Sequence, residues 1–458
     1  MKDEEFKKIA TEYLERNEYS FLIELVRETF KLTVINSKLT VISEEMITCL
    51  GELLNKSIGL ISETLDENVI LLIEHIFKAL RNATVGNQSS QNWITSNESI
   101  LNDTHTFCEL YRAINEPYII SCISVLLQFL NNLVVKNQES SRLVWNKFKE
   151  FIGDFISDKN YSYFSSALAY NMLYTAVTML KDNELILRSI FDVYKDYESN
   201  EYLHFLLELF VKNKDLNISY VSYDTEHRIL FLTMLKDLLQ ESRVDVNINL
   251  IQTLSNEFKV KSDCILKTIA DYVDKIEPIE VTLLLDDLAI ISSNDTYLPL
   301  IQSDKSLLIT CIFLLKSIHE VSKQPDNNFT MMSKLSDLTI SGNKADITLH
   351  PAFGFKASLI RLIGNMCWKH IGNQHEVREL EGIPLLLDCC NMDARNPLII
   401  QWIVYALRNL CENNLENQKA ISSITKLGVV DSETLNEIGI TLSDDGSNCI
   451  KIAPYPNV

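Results

Sequence analysis

Four stretches of the chain place apolar residues at i, i+3, i+4 and i+7: Ile76, Ala79, Leu80 and Ala83; Leu126, Phe129, Leu130 and Leu133; Leu359, Leu362, Ile363 and Met366; Ile403, Ala406, Leu407 and Leu410. That spacing lays a continuous stripe along a 3.6-residue helix, so each stretch predicts a helix with one buried face. In all four an asparagine stands at i+6, at Asn82, Asn132, Asn365 and Asn409. Helix geometry sets it roughly 110° round from the stripe, at the edge of the core. An Asn-Gln step follows each time, at Asn87-Gln88, Asn137-Gln138, Asn373-Gln374 and Asn417-Gln418. Asparagine just before a helix accepts bonds from the free N–H groups of its first turn, so these four residues are predicted N-caps. Further on, Gly382 predicts the left-handed end of a short helix and Pro384 the first turn of the next.

Asn365 and Asn409 are 44 residues apart, Asn82 and Asn132 are 50 apart, and a period of roughly 40 to 47 is that of armadillo and HEAT repeats. The predicted fold is an all-α, armadillo/HEAT-like helical-repeat solenoid of about nine or ten units. Between residues 150 and 320 the signature fades while apolar helical runs continue, at 166–180, 185–211, 226–239, 264–273, 281–291 and 305–319. Those runs read as degenerate repeats. From 321 to 350 no stripe persists, and Gln324-Pro325-Asp326-Asn327-Asn328 and Ser341-Gly342-Asn343 mark a loop or partly disordered insertion. The expected organisation is therefore 1–320 N-terminal and middle repeats, 321–350 insertion, 351–442 C-terminal repeats and 443–458 a frayed tail.

Composition agrees with a helical array. Only 12 of 458 residues are Gly and 9 are Pro, which excludes a turn-rich β-sandwich or a linker-dominated chain. Acidic residues outnumber basic ones 62 to 42, a formal charge of −20, and that excess repels phosphate backbones, so nucleic acid is not an expected partner. The polar, acidic start Met1-Lys2-Asp3-Glu4-Glu5 lacks the apolar run of a secretory signal. The longest uncharged span, 117–135, carries Gln128, Asn131 and Asn132, the period of a buried helix rather than a membrane span. A cytoplasmic protein without membrane insertion is expected, its ten scattered cysteines reduced and mostly buried.

Catalysis needs several groups aimed at one atom, and no Gly-rich phosphate loop, His-Glu-x-x-His, Gly-x-Ser-x-Gly or Cys-x-x-Cys occurs. The chain reads as a non-enzyme with no cofactor. Soft sulfur ligands for Cu(I) come closest together at Cys389, Cys390 and Met392, but neighbouring helical residues point about 100° apart, so core packing is the favoured reading. His370 and His375 read as cap or surface residues. The flanking asparagines Asn82, Asn132, Asn365 and Asn409 are the candidate binding residues, since stacking would align their amides along a groove where they could bond an extended peptide. The competing reading has each one bonding the backbone of the adjacent repeat. One turn earlier stand Lys78, Gln128, Arg361 and Tyr405, not the aromatic ladder of import-signal grooves.

The run Phe353-Gly354-Phe355-Lys356, the Gly364-Asn365 step, Leu380-Glu381-Gly382-Ile383-Pro384, Asn396-Pro397 and Tyr405-Ala406-Leu407-Arg408-Asn409 resemble, in order and spacing, the C-terminal domain of the ataxin-10 family, including its fungal homologues. The close match spans 351–421; the remainder is similar in being helical and repetitive. The resemblance implies an armadillo-like cytoplasmic scaffold, without catalytic residues, that serves cytokinesis and cell division through other proteins. A second copy of the chain, in a homo-oligomer, is kept among the candidate partners. Fungal relatives also bear a copper-transport name, which keeps soluble Cu(I) handling as an alternative. A third reading is an adaptor whose acidic surface binds basic peptides.

Overall fold

The computed structural model describes residues 3–31, 42–61, 65–176, 184–194, 199–212, 220–241, 245–268, 276–324, 327–331, 348–391 and 393–424, with short strands at 34–35, 38–39, 440–444 and 450–454. Helices make up nearly all of it. The chain forms two compact units, Met1–Asp215 and Leu216–Val458.

In the first unit one long helix per repeat stacks on the next: Tyr19–Thr29, Glu67–Thr84, Pro117–Val134, Ser162–Thr175 and Glu201–Lys212. Shorter helices, such as Gln88–Ser96 and Ser99–Tyr111, connect successive members and pack on the same core. The second unit repeats the arrangement with Thr225–Gln240, Glu277–Ile291, Phe355–Met366 and Ile399–Cys411. Between the last two lie Ile371–Glu379 and Gly382–Asp388, completing a three-helix unit of armadillo type. The fold is all-α and helical-repeat.

Every residue of the four apolar stripes is buried except Leu407, which is half-buried. Phe77 shows why stacking is needed. Its ring meets Phe107 at 5.9 Å and Phe129 of the next repeat at 6.2 Å, so no single repeat could cover it. Pro117–Val134 is apolar enough by composition to cross a membrane, yet Ile123, Leu126, Phe129 and Leu133 are fully covered by protein.

Several expectations change. The run 185–211 is two helices, Glu184–Val193 and Glu201–Lys212, and helix Ile248–Lys261 was not anticipated. Of 264–273, residues Ser262–Thr268 form a 3-10 helix and 269–275 lie outside the described residues. The boundaries read at 320 and 350 do not separate compact units, because Phe355–Met366 packs directly on Glu277–Ile291 and Lys305–Ser322. Most of 321–350 lies outside the described residues; Asn328 within it donates to the Thr268 carbonyl at 2.8 Å. Over the expected tail, Ile440–Asp444 and Ile450–Pro454 pair antiparallel.

Gly382 is not the left-handed residue; Glu381 is, at φ 60°. A Cβ on Gly382 would stand 2.5 Å from Val377 Cγ1, so this glycine is needed for close approach rather than for its dihedral freedom.

Candidate functional site

The junction between the long helix of one repeat and the first helix of the next has a fixed grammar. Four residues after each flanking asparagine the backbone turns left-handed, at Gly86, Lys136, Lys369 and Asn413, with φ between 51° and 61°. The next residue is the N-cap: Asn87, Asn137, His370 and Asn414, whose side chains accept from the N–H of Ser90, Ser140, Asn373 and Asn417. Asn87 and Asn137 are therefore the predicted caps, while Asn373 and Asn417 are not. These two sit three residues inside their helices and donate back to the carbonyls of Met366 and Leu410, each at 2.8 Å. The Asn-Gln letters recur, but in two different registers.

The flanking asparagines clamp repeats together. Asn132 Nδ2 donates to the Arg81 carbonyl at 3.2 Å and Asn409 Nδ2 to the Gly364 carbonyl at 2.9 Å. In each case the acceptor is the residue just before the asparagine of the preceding repeat. Asn82 reaches the Phe30 carbonyl at 3.1 Å, and Asn365 reaches Ser292 Oγ at 3.0 Å and Ser293 Oγ at 3.2 Å. All four are half-buried. Their donors are committed within the protein; among the described residues no bond is donated to Oδ1 of Asn132, Asn365 or Asn409.

A second set of clamps was not read from the sequence. Gln91 Nε2 donates to the carbonyls of Asn132 and Val135, Gln302 to those of Asn365 and Trp368, and Gln374 to those of Asn409 and Glu412. Each glutamine holds the flanking asparagine of the next repeat by its backbone. Asn137 and Asn414, the caps that follow, donate to the Oε1 of Gln91 and Gln374. The available signal was a glutamine nine residues after the asparagine, as at Gln91 and Gln374.

The residues one turn before the asparagines are also engaged. Lys78 pairs with Glu74 at 2.6 Å, Gln128 accepts from Arg81 at 2.6 Å, and Arg361 donates to Ser293 at 2.8 Å. The Arg361 guanidinium lies 4.9 Å from the Trp402 ring, and Trp402 lies 6.2 Å from the more exposed Tyr405. No aromatic ladder accompanies the asparagines.

The sulfur candidates diverge. Cys389 is buried and Cys390 exposed, Met392 lies outside the described residues, and Cys367 sits in the core. Cys389 Sγ lies 3.7 Å from His319 Nδ1. Burial raises its thiol pKa despite nearby Lys356, which favours the inert neutral form. Among the described residues no three His, Cys, Asp or Glu side chains gather as a metal site.

Residues 355–452 match the family model described as the spinocerebellar ataxia type 10 protein domain. Ataxin-10 of Xenopus tropicalis is 32% identical over 397 residues, 82% of this chain and 79% of that protein. The chain belongs to the ataxin-10 family. Human ataxin-10 is 29% identical over 395 residues, covering 83% of this chain and 81% of its own length. The ataxin-10 homolog of Dictyostelium discoideum is 44% identical over 103 residues, 22% of this chain and 17% of that one. Likeness to ataxin-10 thus extends well beyond 351–421, where the motifs are densest. Among solved structures, SYS-1 aligns over 89% of this chain and 75% of its own at 13% identity with a TM-score of 0.39, too low to bear on fold or function.

Proposed function

We propose that this ataxin-10 family member is a non-catalytic scaffold that holds protein partners on its helical-repeat surface and acts in cytokinesis, in the cytoplasm. The observation that carries the proposal is the use to which the polar residues recurring from repeat to repeat are put. Gln91, Gln374, Asn137 and Asn414 are buried and bonded across repeats, so they hold the framework and leave the exposed faces to do the recognition. Asn132, Asn365 and Asn409 keep one acceptor each, and an extended partner segment could donate backbone N–H groups to them while the clamps stay closed.

The test is a tagged chain at its own locus, purified with its partners through division, alongside depletion and rescue. Stoichiometric partners and multinucleate cells on depletion are the expected results. A chain recovered alone would overturn the scaffold, and normal division on depletion would overturn the cytokinesis role.

A further inference from the structure

In the first unit, helices Glu44–Ile61, Gln88–Ser96 and Ser99–Tyr111 enclose an open groove of about 640 Å³. Its floor is set by Gly51, where a Cβ would stand 2.8 Å from Ile100 Cγ1; the bare glycine lets the two helices close on each other. Trp93 lines one side, its indole N–H donating to Thr48 Oγ1 at 3.3 Å. Asp103 lines another, and its Oδ1 accepts from Asn55 Nδ2 at 2.8 Å. Among the described residues no cation reaches Asp103. Partial burial raises its carboxyl pKa even though the Asn55 bond opposes the rise, as expected for a desolvated carboxylate without a counter-charge. The other charged lining groups are Glu52, paired with Lys7 at 2.8 Å, and the exposed Lys56.

We propose that this groove receives a basic side chain from an extended segment of a protein partner, arginine in preference to lysine. The inference rests on the scaffold reading and names the chemistry of one contact. A planar guanidinium can stack on an indole and fork to a carboxylate together, which an ammonium cannot. Asp103 supplies both acceptors, Oδ2 and the lone pair of Oδ1 that the Asn55 bond leaves open, and the net charge of −20 favours approach of a cationic segment.

The experiment labels the full chain with 5-fluorotryptophan, one ¹⁹F signal for each of the four tryptophans, and assigns Trp93 by the signal missing from Trp93→Phe. Acetyl-Gly-Arg-Gly-amide should shift the Trp93 signal saturably, with a dissociation constant on the order of millimolar. The citrulline analogue, neutral and of the same shape, should bind about tenfold more weakly to the wild type, and so should the arginine peptide to Asp103→Asn. Citrulline binding as tightly as arginine, or an unmoved Trp93 signal, would overturn the site, and the citrulline comparison needs no variant to fold. Partners retained equally by wild type and Asp103→Asn would also overturn it while leaving the scaffold standing. A chain that binds the arginine peptide but retains no partner would sink the scaffold and keep the site.

Discussion

Asn409 and Gly364 meet through a single 2.9 Å hydrogen bond, the Asn409 amide donating to the glycine carbonyl. A Cβ added to Gly364 would lie 3.0 Å from the Cα and Cβ of Ala406, one turn before Asn409. The glycine therefore serves the helix pair Phe355–Met366 and Ile399–Cys411 twice, by letting the backbones approach and by presenting a carbonyl at that distance.

Gly364→Ala should cost about 1–3 kcal/mol through overpacking, and Asn409→Ala about 1 kcal/mol through the lost bond. Because the alanine pushes the helices apart, it already weakens the bond that the second change removes. The double variant should fall short of the sum by at least about 0.5 kcal/mol in urea unfolding. Strict additivity would mean that the close approach and the clamp are independent.

Gln374 and Gln418 share the same dipeptide, yet only the first is enclosed. Gln374 is fully buried and bridges the carbonyls of Asn409, Glu412 and Cys367 while accepting from Asn414. Gln418 is exposed and, among the described residues, donates to the Cys411 carbonyl alone. Gln374→Leu should lose about 2–3 kcal/mol, since several buried polar groups are left unpaired, whereas Gln418→Leu should stay within about 0.5 kcal/mol of wild type. Equal losses in chemical unfolding would contradict the bridging role.

The apolar stripes were legible because helical period and burial are the same fact written twice: Leu126, Phe129, Leu130 and Leu133 could face only inward. Asn132 was legible as a polar residue at the edge of that stripe, though not which of its two atoms would be used. The junction was harder to read. Its constant features are spacings, and the residues filling them vary: the left-handed position is Gly86 once but Lys136 and Lys369 elsewhere, and the cap is His370, three residues before the predicted Asn373. Lysine carries no signal for positive φ, and Asn373, three residues late, imitates a cap in sequence. The groove at Trp93 and Asp103 was invisible because its walls come from three helices and its floor from an absent side chain.

Helix Glu277–Ile291 buries two carboxyl groups with opposite provision. Glu280 is fully covered and meets Arg228 and Lys261, each at 2.8 Å. Asp287, two turns on and equally covered, has neither oxygen bonded among the described residues. Burial, then the neighbouring Asp286, raises its pKa well above the ordinary 3.8, with Lys236 opposing. A carboxyl raised on folding loses stability as pH climbs from the unfolded value through the folded one. Asp287→Asn removes that loss. The variant should exceed wild type by about 1 kcal/mol or more at pH 7 and match it near pH 3.5. A variant less stable at both would assign the carboxyl a partner.

Asp304 behaves in the reverse sense. It caps helix Lys305–Ser322, accepting from the Leu307 N–H at 3.0 Å, and takes bonds from Lys259 Nζ at 2.8 Å and Ser255 Oγ at 2.7 Å. Burial alone would raise its pKa, but bonds from Lys259, Ser255, Ser306 and the Leu307 N–H lower it to about 2. A depressed carboxyl gives stability that is complete above the unfolded value near 3.8 and disappears as pH falls toward 2. Discounted for solvent screening, the contribution is on the order of 1 kcal/mol. Asp304→Asn keeps the cap but not the charge, so the gap between wild type and variant in thermal unfolding should be constant from pH 7 to 5 and close between pH 4 and 2. A gap unchanged across that window would mean that Lys259 draws nothing from the carboxylate.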